Sequence, residues 1–247
     1  MKMRNFTDED LRINLFSYDV SDLLANMPSD EDPIWDLDIR RQADPVWGLG
    51  ATKSIIFKWF VDPNFEWNHS QDIDPFIDKF HMDTELWSIV KPLVEQIENH
   101  HNGVAVRAYL SKLDPESMIA RHADGDCPLV PLVSKNHVAI ETNDQDVFEL
   151  YGVEVPMPAG EVYEIDNMNV HTGINRGLVR RVHLLVDVLP HDFQECILSG
   201  GYGEYPVNYL YRTDRTISYL LNRELGRFNV VGRSDDDTFN HNGNLEF

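Results

Sequence analysis

Hydrophobic residues change their period partway along this chain. Between residues 84 and 101, Leu86, Ile89, Val90, Leu93 and Ile97 recur at i, i+3, i+4, i+7 and i+11, the apolar stripe of an amphipathic helix. Asp83 or Thr84 supplies its N-cap, and His100-His101-Asn102-Gly103 ends it with a basic last turn and a glycine. Pro92 falls inside the stripe and predicts a kink or a later start. Beyond Gly103 the period becomes two. Segments 104–113, 136–142, 147–151, 161–165, 170–175 and 180–189 read as short strands parted by Gly, Pro, Asn and Asp clusters. Upstream, residues 22–27 form a short helix, 53–60 a strand, and 28–33 and 42–50 loops. After Pro190 the pattern is mixed, with a helix expected over 215–225 and a mobile Asp/Asn-rich tail over 233–247.

Alternation assigns side chains to faces. Val182, Leu184, Val186 and Val188 form one apolar face, suited to packing on the helix, while Arg181, His183 and Asp187 take the other with Leu185 among them. In 104–113, Val104, Val106, Ala108 and Leu110 are apolar and Arg107, Tyr109 and Ser111 lie opposite. Val138 and Ile140 share a face, with Lys135 and His137 on the reverse. If these strands curl into one barrel, their polar groups converge inside it, where burial without ligands is costly. The expected class is mainly β with flanking helices (α+β), built as a jelly roll of the cupin-like kind. Residues 84–190 then form the core with its leading helix. Residues 1–83 are a helical or irregular flank packing on the barrel, and 191–247 a C-terminal extension with a short helix.

Charge narrows the partners. With 21 basic and 42 acidic residues among 247, the chain carries −21, which opposes non-specific contact with nucleic acid or an anionic membrane. No apolar run approaches the ~18 residues needed to span a bilayer. The start shows no apolar leader, and two cysteines are too few for a disulfide framework. A cytoplasmic location is expected. The five tryptophans read as core.

The candidate chemistry lies in His122-Ala123-Asp124, with His171 far downstream and Arg181 ten residues beyond that. Two imidazoles and a carboxylate can hold one face of a ferrous ion and leave the opposite face open. An arginine one strand further on can grip a carboxylate with its two-pronged fork. His81-Met82-Asp83 is a second His-x-acid triplet. Pairing it with His122 puts Leu132 in the anion-binding position, so it is set aside. Arg180 points to the face opposite Arg181. Arg107 and Arg121 each suit an anionic substrate or a salt bridge equally well.

These residues resemble the aspartyl/asparaginyl β-hydroxylase family of 2-oxoglutarate oxygenases over roughly 84–190. The resemblance is carried by the run from Ser111 to His122-Ala123-Asp124, by Lys135-Asn136-His137, by the run from Gly160 to His171, and by Arg181-Val182-His183. It implies a double-stranded β-helix, Fe(II) at His122, Asp124 and His171, and 2-oxoglutarate held by Arg181 with Ser111, His137 and Lys135, the last standing where the family often has arginine. It also implies O₂ as co-substrate. The family's animal peptide hydroxylases have glycine where Asp124 stands here, so the complete triad is closer to bacterial members acting on free amino acids. The expected substrate is an amino acid, a related small acid, or an Asp/Asn side chain of a peptide. The rival reading is a non-catalytic jelly-roll protein binding a metal or a small anion.

Overall fold

The computed structural model describes residues 12–38, 51–60, 77–122, 124, 133–150, 152–165, 167 and 170–191, with the strand backbones 210–212, 217–222 and 227–233. Among the described residues two α-helices precede the barrel, α1 at Ser21–Ala25 and α2 at Glu85–His101. Thr84 caps α2: its hydroxyl accepts from the Trp87 amide at 3.2 Å and donates to the His81 carbonyl at 2.6 Å. The helix begins at Glu85 and contains Pro92, so the proline marks no later start. The left-handed residue at its end is Asn102 (φ 47°, ψ 58°), not Gly103.

The strands are β1 (Arg12–Ser17), β2 (Thr52–Phe60), β3 (Ile77–Lys79), β4 (Gly103–Leu113), β5 (Ser117–Met118), β6 (Ser134–Glu141), β7 (Asp146–Leu150), β8 (Val153–Val155), β9 (Glu161–Ile165), β10 (His171–Asn175) and β11 (Arg181–Pro190). They form a larger sheet in the order β1-β9-β6-β11-β4-β2-β3 and a smaller one in the order β5-β10-β7-β8. From β4 to β11 the chain passes back and forth between the two sheets, with β7 and β8 a consecutive pair in the smaller one, and every pairing is antiparallel. That order is the double-stranded β-helix, the jelly roll expected from the sequence. Gly103 serves this closure, since a Cβ there would collide with the Leu189 carbonyl as β4 starts against the end of β11.

Two expectations are corrected. The N-terminal segment packs on the barrel as expected but is more than a helical or irregular flank, because β1 pairs with β9, and β2, which covers the strand expected over 53–60, pairs with β4, extending the larger sheet at both sides. The helix expected over 215–225 is instead a strand, β13 (Ile217–Asn222), between β12 (Leu210–Arg212) and β14 (Arg227–Arg233). Ile-Ser-Tyr-Leu-Leu is too short an apolar run for its period to separate helix from strand, and its pairing with 227–233 decides. The tail over 234–247 lies outside the described residues.

Alternation correctly sorts the faces of β11. Val182, Leu184, Val186 and Val188 pack with Leu86, Trp87, Val90, Leu93, Val94 and Ile97 of α2, and Val138 and Ile140 join them. Each such side chain contributes roughly 1.5–3 kcal/mol on full burial. On β4 the assignment fails at one end. A bulge pairs Asp187 with Arg107 but Val188 with Ala105, leaving Val106 over, so Ala105 rather than Val106 joins this core. A second cluster of Ala139, Phe148, Leu150, Met157, Tyr163 and Ile165 fills the space between the two sheets. Trp35 and Trp87 are buried, Trp59 lies half-buried beside Tyr109, and Trp47 and Trp67 are outside the described residues.

Candidate metal centre and co-substrate pocket

His122 and His171 come together through the backbone. They form an antiparallel bridge and exchange both amide-to-carbonyl bonds, at 3.1 and 2.8 Å. Paired residues project to the same face, and their ring centroids stand 4.4 Å apart. The ligand atoms of His122, Asp124 and His171 all lie within 4.8 Å of one another, a group that could hold a metal ion. Nδ1 of His122 sits 2.8 Å from the Ala120 carbonyl. That carbonyl can only accept, so Nδ1 carries the proton and Nε2 keeps its lone pair for a metal.

Asp124 divides its two oxygens. Oδ1 is 3.6 Å from Nε2 of His122 and 4.0 Å from Nε2 of His171. Oδ2 accepts from Lys135 Nζ at 2.8 Å and Asn167 Nδ2 at 3.2 Å. Burial alone would raise this carboxyl, but Lys135, His171 and His122 hold it well below the usual range, so it is ionised. For Lys135, too, the surrounding carboxylates Asp124 and Asp187 outweigh burial, and its pKa is raised. Asn167 also takes the Asp124 amide on its backbone carbonyl at 2.9 Å. In the sequence it is one asparagine in a turn-like Asp-Asn-Met-Asn run, and nothing marks it out.

Arg181 is buried on the inner face of β11, where alternation places it. Its guanidinium lies against the His183 ring, Nε 3.0 Å from Nε2 and Nη2 2.9 Å from Nδ1. A neutral imidazole has one acceptor nitrogen, so only one of these contacts is a hydrogen bond at a time. Among the described residues Arg181 forms no ion pair. Burial pushes its pKa down to about 10, and Asp146 opposes that fall. Ser111 stands opposite His183 in the β4–β11 register, on the same face. His137 lies one row nearer the metal group, and both of its ring nitrogens are buried without a hydrogen-bond partner among the described residues. Phe148 lines the wall between them, its ring 5.0 Å from that of His137, 5.8 Å from His171 and 5.9 Å from the Arg181 guanidinium. Sequence reading gave Phe148 no role, because an apolar residue on a strand reads only as core.

The other arginines separate. Arg121 is forked onto Glu149 through Nε at 2.6 Å and Nη2 at 2.8 Å, with its side chain about half exposed. Arg180 is forked onto Glu141 at 2.6 and 2.7 Å, outside the barrel as expected. Arg107 is on the inner face, 3.7 Å from Asp187 and with its guanidinium 4.9 Å from the Trp59 ring centre. His81, from the rejected triplet, sits at φ 53° in the turn before α2.

Residues 78–190 match the family of aspartyl/asparaginyl beta-hydroxylases, so the resemblance read from the sequence holds over β3 to β11. Comparison with curated proteins finds no match. Among solved structures, a 2OG-Fe(II) oxygenase family oxidoreductase from Burkholderia pseudomallei is similar at 12% identity, covering 73% of this chain and 85% of that one, with a TM-score of 0.47. A Pseudomonas putida prolyl-4-hydroxylase is similar at 14% identity, covering 60% and 75%, with a TM-score of 0.39. A cupin domain from Bordetella pertussis shares 14% identity over 33% of this chain and 79% of its own, at 0.27. At these scores the fold rests on the chain's own sheet order. The family match indicates a 2-oxoglutarate–Fe(II) oxygenase of the hydroxylase kind, which implies Fe(II), 2-oxoglutarate and O₂. The donor set fits: two imidazoles and a carboxylate for the metal, and for a dianion a buried guanidinium with no ion pair and an imidazole with no hydrogen-bond partner among the described residues. Among the described residues no helix is long and apolar enough to cross a membrane.

Proposed function

We propose that this chain hydroxylates an amino acid or a related small acid, consuming 2-oxoglutarate and O₂ and releasing succinate and CO₂. One oxygen atom goes to the substrate C–H bond and the other to succinate, so the reaction balances without a further reductant. His122, Asp124 and His171 would hold the iron. Arg181 would hold the distal carboxylate of 2-oxoglutarate, aided by Ser111, while His137 would donate to the carboxylate nearer the metal. Bound iron supplies the oxygen activation; the chain supplies position, charge and exclusion of water. Lys135 is committed to Asp124 and is not needed for the co-substrate. For the substrate, Arg107 is the anion-binding candidate, since it shares the metal's face while Arg121 is taken by Glu149.

The observation that carries this reading is the buried Arg181 cation without a carboxylate partner among the described residues. A protein that merely stored a metal would have no use for it, and its burial is costly until an anion arrives. An Asp or Asn side chain in a peptide is the second substrate class. The test is anaerobic addition of Fe(II) and 2-oxoglutarate, which should give the weak visible charge-transfer band of the chelate. A screen of free amino acids, small acids and Asp/Asn peptides for stimulated succinate release then identifies the class. No band and no succinate would favour the non-catalytic binding protein.

A further inference from the structure

We infer that Lys135 is a positioning residue for Asp124: it ties down one carboxylate oxygen so that only the other can reach the metal. This rests on the oxygenase reading above. A carboxylate beside a divalent cation can rotate and chelate through both oxygens. In a three-residue site that rotation would occupy a fourth position. Two would then remain, where a chelating 2-oxoglutarate and O₂ together need three.

The geometry opposes that rotation. Oδ1 of Asp124 is the oxygen toward both imidazoles, at 3.6 and 4.0 Å. Oδ2 is turned away onto two donors, Lys135 Nζ at 2.8 Å and Asn167 Nδ2 at 3.2 Å. Lys135 is itself almost fully buried and lies 3.8 Å from Asp187, which is cross-strand from it in the β6–β11 register. Its ammonium therefore stays between two carboxylates rather than swinging to solvent. A buried lysine with four rotatable bonds is an unfavourable choice for gripping a flat co-substrate carboxylate, where arginine's fork is better suited. As a point charge on one oxygen it is well suited. The lysine at this position, where the resemblance leads one to expect arginine, is thereby accounted for by Asp124.

The test uses the full chain and Co(II), whose visible spectrum reports coordination and whose binding does not depend on turnover. Lys135→Met should bind one Co(II) about 10–100-fold more weakly. Its cobalt spectrum should change, and with Fe(II) the 2-oxoglutarate chelate band should weaken. Lys135→Arg should recover most of the affinity, since it restores a charged donor to Oδ2. If Lys135→Met fails to fold, Lys135→Gln and Asn167→Ala carry the same expectation of weaker cobalt binding in a folded chain. Wild-type cobalt affinity and spectrum in the folded variants, with only 2-oxoglutarate affinity reduced, would overturn the inference and return Lys135 to the co-substrate. Because cobalt binding is read alone, this outcome stays separate from the oxygenase reading, which fails if the wild-type protein forms no chelate and no succinate.

Discussion

Arg181 occupies the space that a side chain at residue 173 would fill. A Cβ on Gly173 would fall inside van der Waals contact of Nη1 and 3.2 Å from Cζ. Gly173 is two residues along β10 from His171, so the strand that carries a metal-ligand candidate also shapes the arginine's berth. Gly173→Ala should therefore displace the guanidinium and weaken 2-oxoglutarate binding at least tenfold. Overpacking should cost about 1–3 kcal/mol of stability as well. Titration with 2-oxoglutarate, beside a cobalt titration that stays near wild type, checks this.

The neighbouring arginines should respond oppositely. Arg181→Ala removes the cation proposed to hold the co-substrate, and 2-oxoglutarate affinity should fall ~100-fold or more. Arg180→Ala should leave that affinity intact. It should instead lower stability by about 1–3 kcal/mol, because Arg180 joins Glu141 on β6 to Asp30 and the Pro28 carbonyl in the N-terminal segment. Lysine at 181 should rescue only in part, having charge without the fork. Damage to co-substrate binding from the Arg180 change would contradict the register.

Metal binding should follow the bridge between His122 and His171. Alanine at either position should abolish stoichiometric iron binding, measured on anaerobic protein by metal analysis after gel filtration. His81→Ala should retain it, since His81 serves the turn that presents the Thr84 cap. Equal loss in all three would mean that the effect is unfolding rather than ligation.

Acid should destabilise the metal-free protein in two stages. Burial, with Lys135 and Arg181 nearby, pushes His137 well below its ordinary range; burial, with Arg181 and His137, does the same to His183. Above about pH 6.5 both imidazoles are neutral folded or unfolded and contribute no pH dependence. Below it the unfolded chain takes up protons that the folded chain refuses. Stability then falls with pH by up to about 1.4 kcal/mol per unit for each ring. Asp124, held low in the fold, adds a further loss below about pH 4. Urea unfolding at several pH values measures the slope, and His137→Gln should make it shallower by about one proton. An unchanged slope would mean that this imidazole titrates normally in the folded state.

Period-two reading worked where strands run without interruption. On β11 it separated Arg181 from Arg180 and placed four valine and leucine side chains against α2, because β11 itself carries no extra residue and both register shifts along it fall on its partners β6 and β4. It failed on β4 at Val106, where an extra residue flips the faces without any glycine or proline to announce it. The candidate triad was legible because metal ligation demands particular side chains, and His122, Asp124 and His171 are ones the fold brings together. Its supports were not: Asn167, Gly173 and Phe148 act through proximity across strands, and each looks ordinary within its own segment. Lys135 was legible as an inward-facing cation, but its partner was not, since the contact joins it to Asp124, eleven residues upstream and outside its own strand.

The N-terminal strands have a consequence for what can be expressed as a domain. The four larger-sheet strands of the jelly roll end at β9 on one side and β4 on the other, and β1 and β2 cover those two edges. The span matching the family, 78–190, contains neither covering strand. A fragment cut to that span would expose two rows of unsatisfied backbone donors and acceptors, the geometry that recruits other chains edge to edge and leads to aggregates. Closing the β1 edge also joins Arg12 to Ile165, across most of the barrel's sequence, so it carries the high loop-closure entropy of a late, slow folding event. The stretch that evolution leaves recognisable is thus smaller than the stretch that physics requires for a soluble, self-contained barrel.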